Sequence, residues 1–170
     1  MNRNFKLVCC FIAVASVAPA ALAHKFSTAY MDVKLSNDQP ILLWKVALHD
    51  LAQARLISAE NSHQVSWQQV MDSAPVLNRY LTEQVAFKSA GTPCKITPAV
   101  AADWQLQQIK RDLYVVLPIT VSCNSSSNWQ LTYRALFASE PSHKLLLSWQ
   151  VPATASNQVL TADADTYPVN

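Results

Sequence analysis

The sequence predicts an α+β fold, in which an antiparallel β-sandwich-like sheet carries a two-helix insertion. Three segments of the second half, Leu113–Cys123, Trp129–Phe137 and Lys144–Val151, place apolar residues at every second position, which is the period of half-buried strands. Two further strand-like segments, Phe26–Leu35 and Pro40–Leu48, come before any helical spacing appears. Strands on both sides of a helical region indicate one antiparallel sheet into which the helices are inserted.

The first two strands form a pair that we expect to turn at residues 36–38, where Ser, Asn and Asp favour a turn. His49–Leu56 follows with helical composition and spacing, so the strand pair leads into a short helix. Trp104, Leu106 and Gln108 suggest one more strand before the long alternating segments begin.

The inserted helices are predicted to begin at Ser66. Ser66 with Gln69 three residues later resembles a capping box, and an apolar face runs from there towards Val85. Pro75 interrupts this face, so it either kinks the helix or restarts it with Ser73 as a new cap. We interpret the apolar stripe as a core-facing surface, because a surface helix needs one to attach to the rest of the domain.

The amino-terminal segment predicts export from the cytoplasm. Arg3 and Lys6 precede a short apolar run at Leu7–Ala18, and Ala21-Leu22-Ala23 has the small residues of a cleavage site. A signal peptide of residues 1–23 is therefore expected, with a mature protein that begins at His24 in the periplasm or outside the cell. The alternative is an uncleaved anchor, but an anchor needs about 20 apolar residues.

Residues 24–155 are predicted to form a single exported domain. From Ala153 onward the residues become small and polar, so residues 156–170 are expected to be a loosely held polar tail. Loss of Arg3 and Lys6 with the signal peptide leaves 11 of the 13 basic residues against 11 acidic ones. A chain without net positive charge or a basic run is not expected to bind nucleic acid.

Glycine is almost absent, since Gly91 is the only one in the chain. The phosphate-binding loops of nucleotide enzymes and the nucleophile elbow of α/β-hydrolases both require glycine. Nucleotide binding is therefore not expected, and no residue spacing marks a nucleophile beside a base. We predict that the protein is not an enzyme and needs no cofactor.

Cys94 and Cys123 are the two cysteines outside the signal segment. In an exported domain an isolated pair is most simply a disulfide. The alternative is a metal-binding or redox pair, but neither a Cys-x-x-Cys spacing nor an adjacent His accompanies them.

Several segments resemble, in the same order, the extracytoplasmic amino-terminal domain of HupE/UreJ-like membrane proteins. These segments are His24–Tyr30, Trp44–Leu51, Val65–Trp67, Leu131–Phe137 and Pro141–His143, together with the Cys94 and Cys123 pair. In that family the domain precedes a block of transmembrane helices associated with nickel or cobalt movement. Nothing after Val151 approaches a membrane span, so the resemblance does not imply transport here.

The family also has an acidic calcium-like loop, which corresponds to residues 58–69 of this chain. Only Glu60 is acidic there, His63 replaces the turn glycine, and Gln69 replaces the closing carboxylate. A calcium site needs several oxygen ligands, so no calcium binding is expected.

Two functions remain as hypotheses. The first is a non-enzymatic periplasmic domain that binds a partner through a sheet edge or the tail, the partner being a membrane protein of a HupE/UreJ-like system. The second is a small transition-metal-binding protein. After cleavage, the α-amine and imidazole of His24 would form a chelating pair for copper or nickel, with His49 as third ligand and Asp50 to orient it. The alternative is that His24 is a frayed end and His49 a surface histidine.

Overall fold

The computed structural model describes residues 27–62 and 64–168. The predicted signal peptide, its cleavage site, His24 and His63 lie outside these residues. Among the described residues, no helix is both long enough and apolar enough to cross a bilayer.

The described part of the chain begins and ends in strands, and its helices lie between them. The elements in chain order are β1 (Thr28–Ser36), β2 (Gln39–Ala47), α1 (Leu48–Gln53), α2 (Trp67–Asp72), α3 (Ala74–Gln84), β3 (Val85–Ser89), β4 (Thr92–Pro93), β5 (Lys95–Pro98), a 3₁₀ turn (Ala101–Asp103), β6 (Gln105–Ile109), β7 (Asp112–Ser122), β8 (Trp129–Tyr133), β9 (Lys144–Trp149), β10 (Ser156–Leu160) and β11 (Thr166–Pro168).

The strands form two sheets. The large sheet has the order β10-β9-β1-β2-β7, and both β5 and β6 pair with the far side of β7. The small sheet has the order β11-β8-β3-β4. All pairs are antiparallel except β1 with β9, which run parallel. The predicted α+β class, with antiparallel-rich sheets and a helical insertion, is confirmed.

The core lies between the two sheets, because alternate residues of both sheets face inward. Met31, Trp44 and Leu117 from the large sheet and Leu131 from the small sheet are fully buried. The rings of Phe87 in β3 and Trp149 in β9 stack with centroids 6.0 Å apart and an angle of 5° between planes. Stacked and offset aromatic pairs add about 0.5–1.5 kcal/mol beyond the burial of their area.

The helical insertion follows its sequence signals closely. Ser66 and Gln69 form the predicted capping box, in which the Gln69 amide N donates to Ser66 Oγ at 3.3 Å. Pro75 restarts the helix, because α2 ends at Asp72 and α3 begins with this proline in its first turn. Ser73 occupies the predicted N-cap position of α3, but its side chain makes no capping hydrogen bond, because its hydroxyl donates to the carbonyl of Gln69. The apolar spacing continues into Val85, but that residue already belongs to β3.

The prediction of a loosely held tail at residues 156–170 is wrong, because most of these residues form paired strands. Ser156–Leu160 forms β10, which pairs with β9, and Thr166–Pro168 forms β11, which pairs with β8. Leu160 is only 4% exposed, and the ring of Tyr167 lies 5.5 Å from that of Trp149. One short connection thus joins the edge of the large sheet to the edge of the small one. The polar composition was misleading, because an edge strand with one buried residue needs little apolar sequence.

Candidate functional site

The predicted disulfide is present between Cys94 and Cys123, whose Cα atoms are 4.6 Å apart. It joins the start of β5 to the end of β7, and the amide of Cys94 donates to the carbonyl of Phe87 at 2.8 Å. The bond therefore joins two neighbouring strands of the large sheet. It lies just after the turn at Gly91, where a φ of +79° favours glycine. Its position is that of a structural cross-link.

His49, the predicted metal ligand, lies at the start of α1. Its Nε2 is 3.1 Å from Asp50 Oδ1, so Asp50 orients the ring as expected. The ring is 23% exposed and faces a cavity of about 210 Å³ that Ser62, Arg111 and Asp112 also line. Among the described residues, no three His, Cys, Asp or Glu side chains converge as a metal site.

Chain direction brings the amino-terminal end of β1 towards His49. Tyr30 pairs with Lys45, and the same register two residues earlier would set Thr28 level with Ala47, the residue before α1. The backbone therefore enters the large sheet beside α1. His24 itself lies outside the described residues, so its pairing with His49 stays a prediction.

A series of buried polar contacts, which the sequence did not predict, links four side chains of the domain. Trp44 Nε1 donates to the hydroxyl of Tyr133 at 3.3 Å, and that hydroxyl is 3.1 Å from His143 Nε2. His143 Nδ1 is 2.6 Å from Ser27 Oγ. Tyr133 and His143 are 0% and 1% exposed. The residues that contact one another are distant in sequence, so no local sequence motif could predict these contacts.

Burial determines the protonation of this chain. Loss of solvent lowers the pKa of His143 to about 4, and the nearby carboxylates of Asp50 and Glu140 oppose the shift only partly. Burial likewise raises the pKa of Tyr133. His143 is therefore neutral at physiological pH and acts as one donor and one acceptor.

The Ser27 and His143 pair has the contact of a nucleophile and its base, yet it is poorly built for catalysis. A histidine with a pKa near 4 is a weak base at neutral pH. The cavity beside Ser27 measures about 10 Å³, which is just enough to hold one water molecule. An acyl group does not fit there, so we interpret the pair as structural.

The outer face of the large sheet carries a groove of about 340 Å³ across β1, β9 and β10. The strand register arranges its side chains in two rows. Tyr30, Leu146 and Val159 form an apolar row, and Asp32, Ser148 and Asn157 form a polar row beside it. Val159 is 51% exposed. We call this feature the β10 groove.

β10 is also an edge strand that lacks the usual protection. Edge strands commonly carry charges or proline, which discourage pairing with another chain. Lys95 and Pro98 serve β5 in this way, whereas β10 contains neither kind of residue. β6 is similarly uncharged, but the groove lies beside β10 and not beside β6.

One residue of the segment that corresponds to the calcium-like loop already makes hydrogen bonds within the protein. Gln69 Oε1 accepts from the amide and the hydroxyl of Ser66 at 2.8 and 3.0 Å. It therefore completes the capping box. The expectation that calcium does not bind there stays a prediction.

Comparison with protein-family models gives no match for this chain, and comparison with curated proteins gives none either.

Proposed function

We propose that this protein is an exported, non-enzymatic domain that binds a partner protein by adding a strand of that partner to β10. The observation that carries the proposal is an unprotected edge strand beside a mainly apolar groove. Main-chain hydrogen bonds along such an edge supply affinity, and side-chain pockets beside it supply specificity.

The two rows of the β10 groove define what an added strand would present. An apolar side chain next to Val159 would extend the apolar row, and a polar one two residues away would extend the row that ends at Asn157. Strand alternation places such residues on the same face. The expected partner segment is therefore a short extended stretch with one apolar and one polar outward residue.

The resemblance to HupE/UreJ-like domains supports a membrane protein as the partner. In that family the domain stands beside a transmembrane block, and a membrane protein of that kind is therefore the partner that we propose. We accordingly propose that an extracytoplasmic segment of a HupE/UreJ-like membrane protein supplies the strand that pairs with β10.

A photoreactive amino acid at position 159 tests the proposal in intact cells. We expect a cross-link to a membrane protein whose cross-linked peptide lies outside its transmembrane segments. Position 106 is a matched control, because Leu106 is 44% exposed on β6, another edge strand without a charged residue. Equal labelling from both positions, or labelling of no membrane protein from position 159, would contradict the proposal.

A second candidate is a transition-metal-binding protein, favoured by the orientation of His49 by Asp50. Titration calorimetry with copper and nickel on the processed protein tests this, alongside His49→Ala and a variant with one extra residue before His24. If neither change weakens binding, the site does not exist.

A further inference from the structure

The buried chain from Trp44 to Ser27 can be given a direction by counting its donors and acceptors. Trp44 Nε1 only donates, so the hydroxyl oxygen of Tyr133 accepts from it. Tyr133 still has a hydroxyl hydrogen to donate, and its side chain is fully buried. His143 Nε2, which lies 3.1 Å from that hydroxyl, can accept this hydrogen.

The opposite direction leaves a donor unmatched. If His143 Nε2 carried the proton, Tyr133 would accept two hydrogen bonds, and its own hydrogen would have no partner in the described contacts. A buried donor without a partner costs about 1–3 kcal/mol. The satisfied arrangement therefore places the proton of His143 on Nδ1, which donates to Ser27 Oγ at 2.6 Å.

This direction frees the hydroxyl hydrogen of Ser27, which then needs an acceptor. Asp50 supplies an unmatched acceptor nearby, because its Oδ2 is buried and has no hydrogen-bond partner among the residues that the structure describes. The Asp50 side chain is 6% exposed, and its other oxygen contacts His49. Ser27 and Asp50 both line the cavity of about 10 Å³, with Ala54 and Glu140 also on its wall.

We propose that this cavity is a binding site for one water molecule, which accepts from Ser27 and donates to Asp50 Oδ2. The volume matches one water, and the site offers the two or more polar partners that a buried water requires. With that water in place, each polar side chain from Trp44 through Tyr133 and His143 to Ser27 has a hydrogen-bond partner for every proton that it can donate. The chain then runs without a break from Trp44 in the core to His49 at the larger cavity.

The tautomer of His143 is the first test, since it needs no mutation. Nitrogen-15 NMR of the imidazole at neutral pH should show the proton on Nδ1 and an unprotonated Nε2. A proton on Nε2 would overturn the proposal, because Ser27 would then donate to the ring and would have no hydrogen left for the water.

The water itself can be counted by oxygen-17 relaxation dispersion, which detects long-lived internal waters. Ala54→Val should fill the cavity and remove one such water relative to the unmodified protein. Ala52→Val is the matched control, because Ala52 lies in α1 two residues before Ala54 but does not line the cavity. The same water count in both variants would overturn the proposal. The tautomer result stands independently if Ala54→Val does not fold.

Discussion

His143 shows how burial determines the charge of a single side chain. Its folded-state pKa of about 4 lies below the ordinary value of 6.5. The unfolded chain therefore binds one more proton than the folded protein between these two pH values. The contribution of His143 to stability is therefore fully present above pH 6.5 and is lost as the pH drops towards 4.

We expect the free energy of unfolding to fall by about 1.4 kcal/mol per pH unit for this one proton across that window. Urea denaturation at a series of pH values measures the slope, and His143→Gln should flatten it. His49→Gln is the control, because His49 is partly exposed and lies outside the buried contact with Ser27. If NMR shows His143 already protonated at pH 5.5, the prediction is wrong.

The same residue shows where the sequence reasoning ended. His143 belongs to a segment that the sequence links only to a family resemblance, whereas His49 is predicted as a ligand because pairing of the first two strands would bring it towards His24. His143 contacts Ser27 across a separation of 116 residues. A contact of that kind depends on the strand order, which periodicity does not determine.

At the scale of single elements, β10 gives the sharpest contrast between neighbours. Leu160 is 4% exposed and Val159 is 51% exposed, although they are adjacent on one strand. We expect Leu160→Ala to cost about 2–5 kcal/mol of stability, and Val159→Ala to change it by about 0.5 kcal/mol or less. Chemical denaturation of both variants measures the difference. Equal effects would mean that residues 156–170 are a loose tail after all.

The disulfide is a second prediction about elements, because it fastens β5 to β7. Replacing both cysteines, as Cys94→Ala with Cys123→Ala, should lower stability by about 3–4 kcal/mol, the chain-entropy value for a loop of about 30 residues. Denaturation of the oxidised protein, the reduced protein and the double variant compares them. The reduced protein and the double variant should have the same free energy of unfolding. A double variant as stable as the oxidised protein would contradict the prediction.

Elements with a strong period were predictable, and short ones were not. The long strand β7 and the cap of α2 appear where alternation and a Ser-x-x-Gln signature placed them. β5, with only four residues, and β10, with mostly polar residues, carry no such signal. Their positions come from pairing with β7 and β9, so tertiary contacts and not local preference determine them.

At the scale of the whole molecule, export predicts a processed chain. The intact mass of protein recovered from the periplasm should match a first residue of His24, because Ala21-Leu22-Ala23 fits a cleavage site. The precursor, made in cells with the export pathway blocked, supplies the control mass. Periplasmic protein that retains residues 1–23 would contradict the prediction.

The parallel pairing of β1 with β9 also affects when the protein can fold. Thr28 in the first strand faces Lys144 in the ninth, and each sheet then receives an edge strand from the last 15 residues. Because synthesis proceeds from the amino terminus, a growing chain has no β9 to pair with one side of β1 until residues 144–149 have been made. We therefore expect the large sheet to be completed late, so that an exported chain would reach a narrow translocation channel before it has folded.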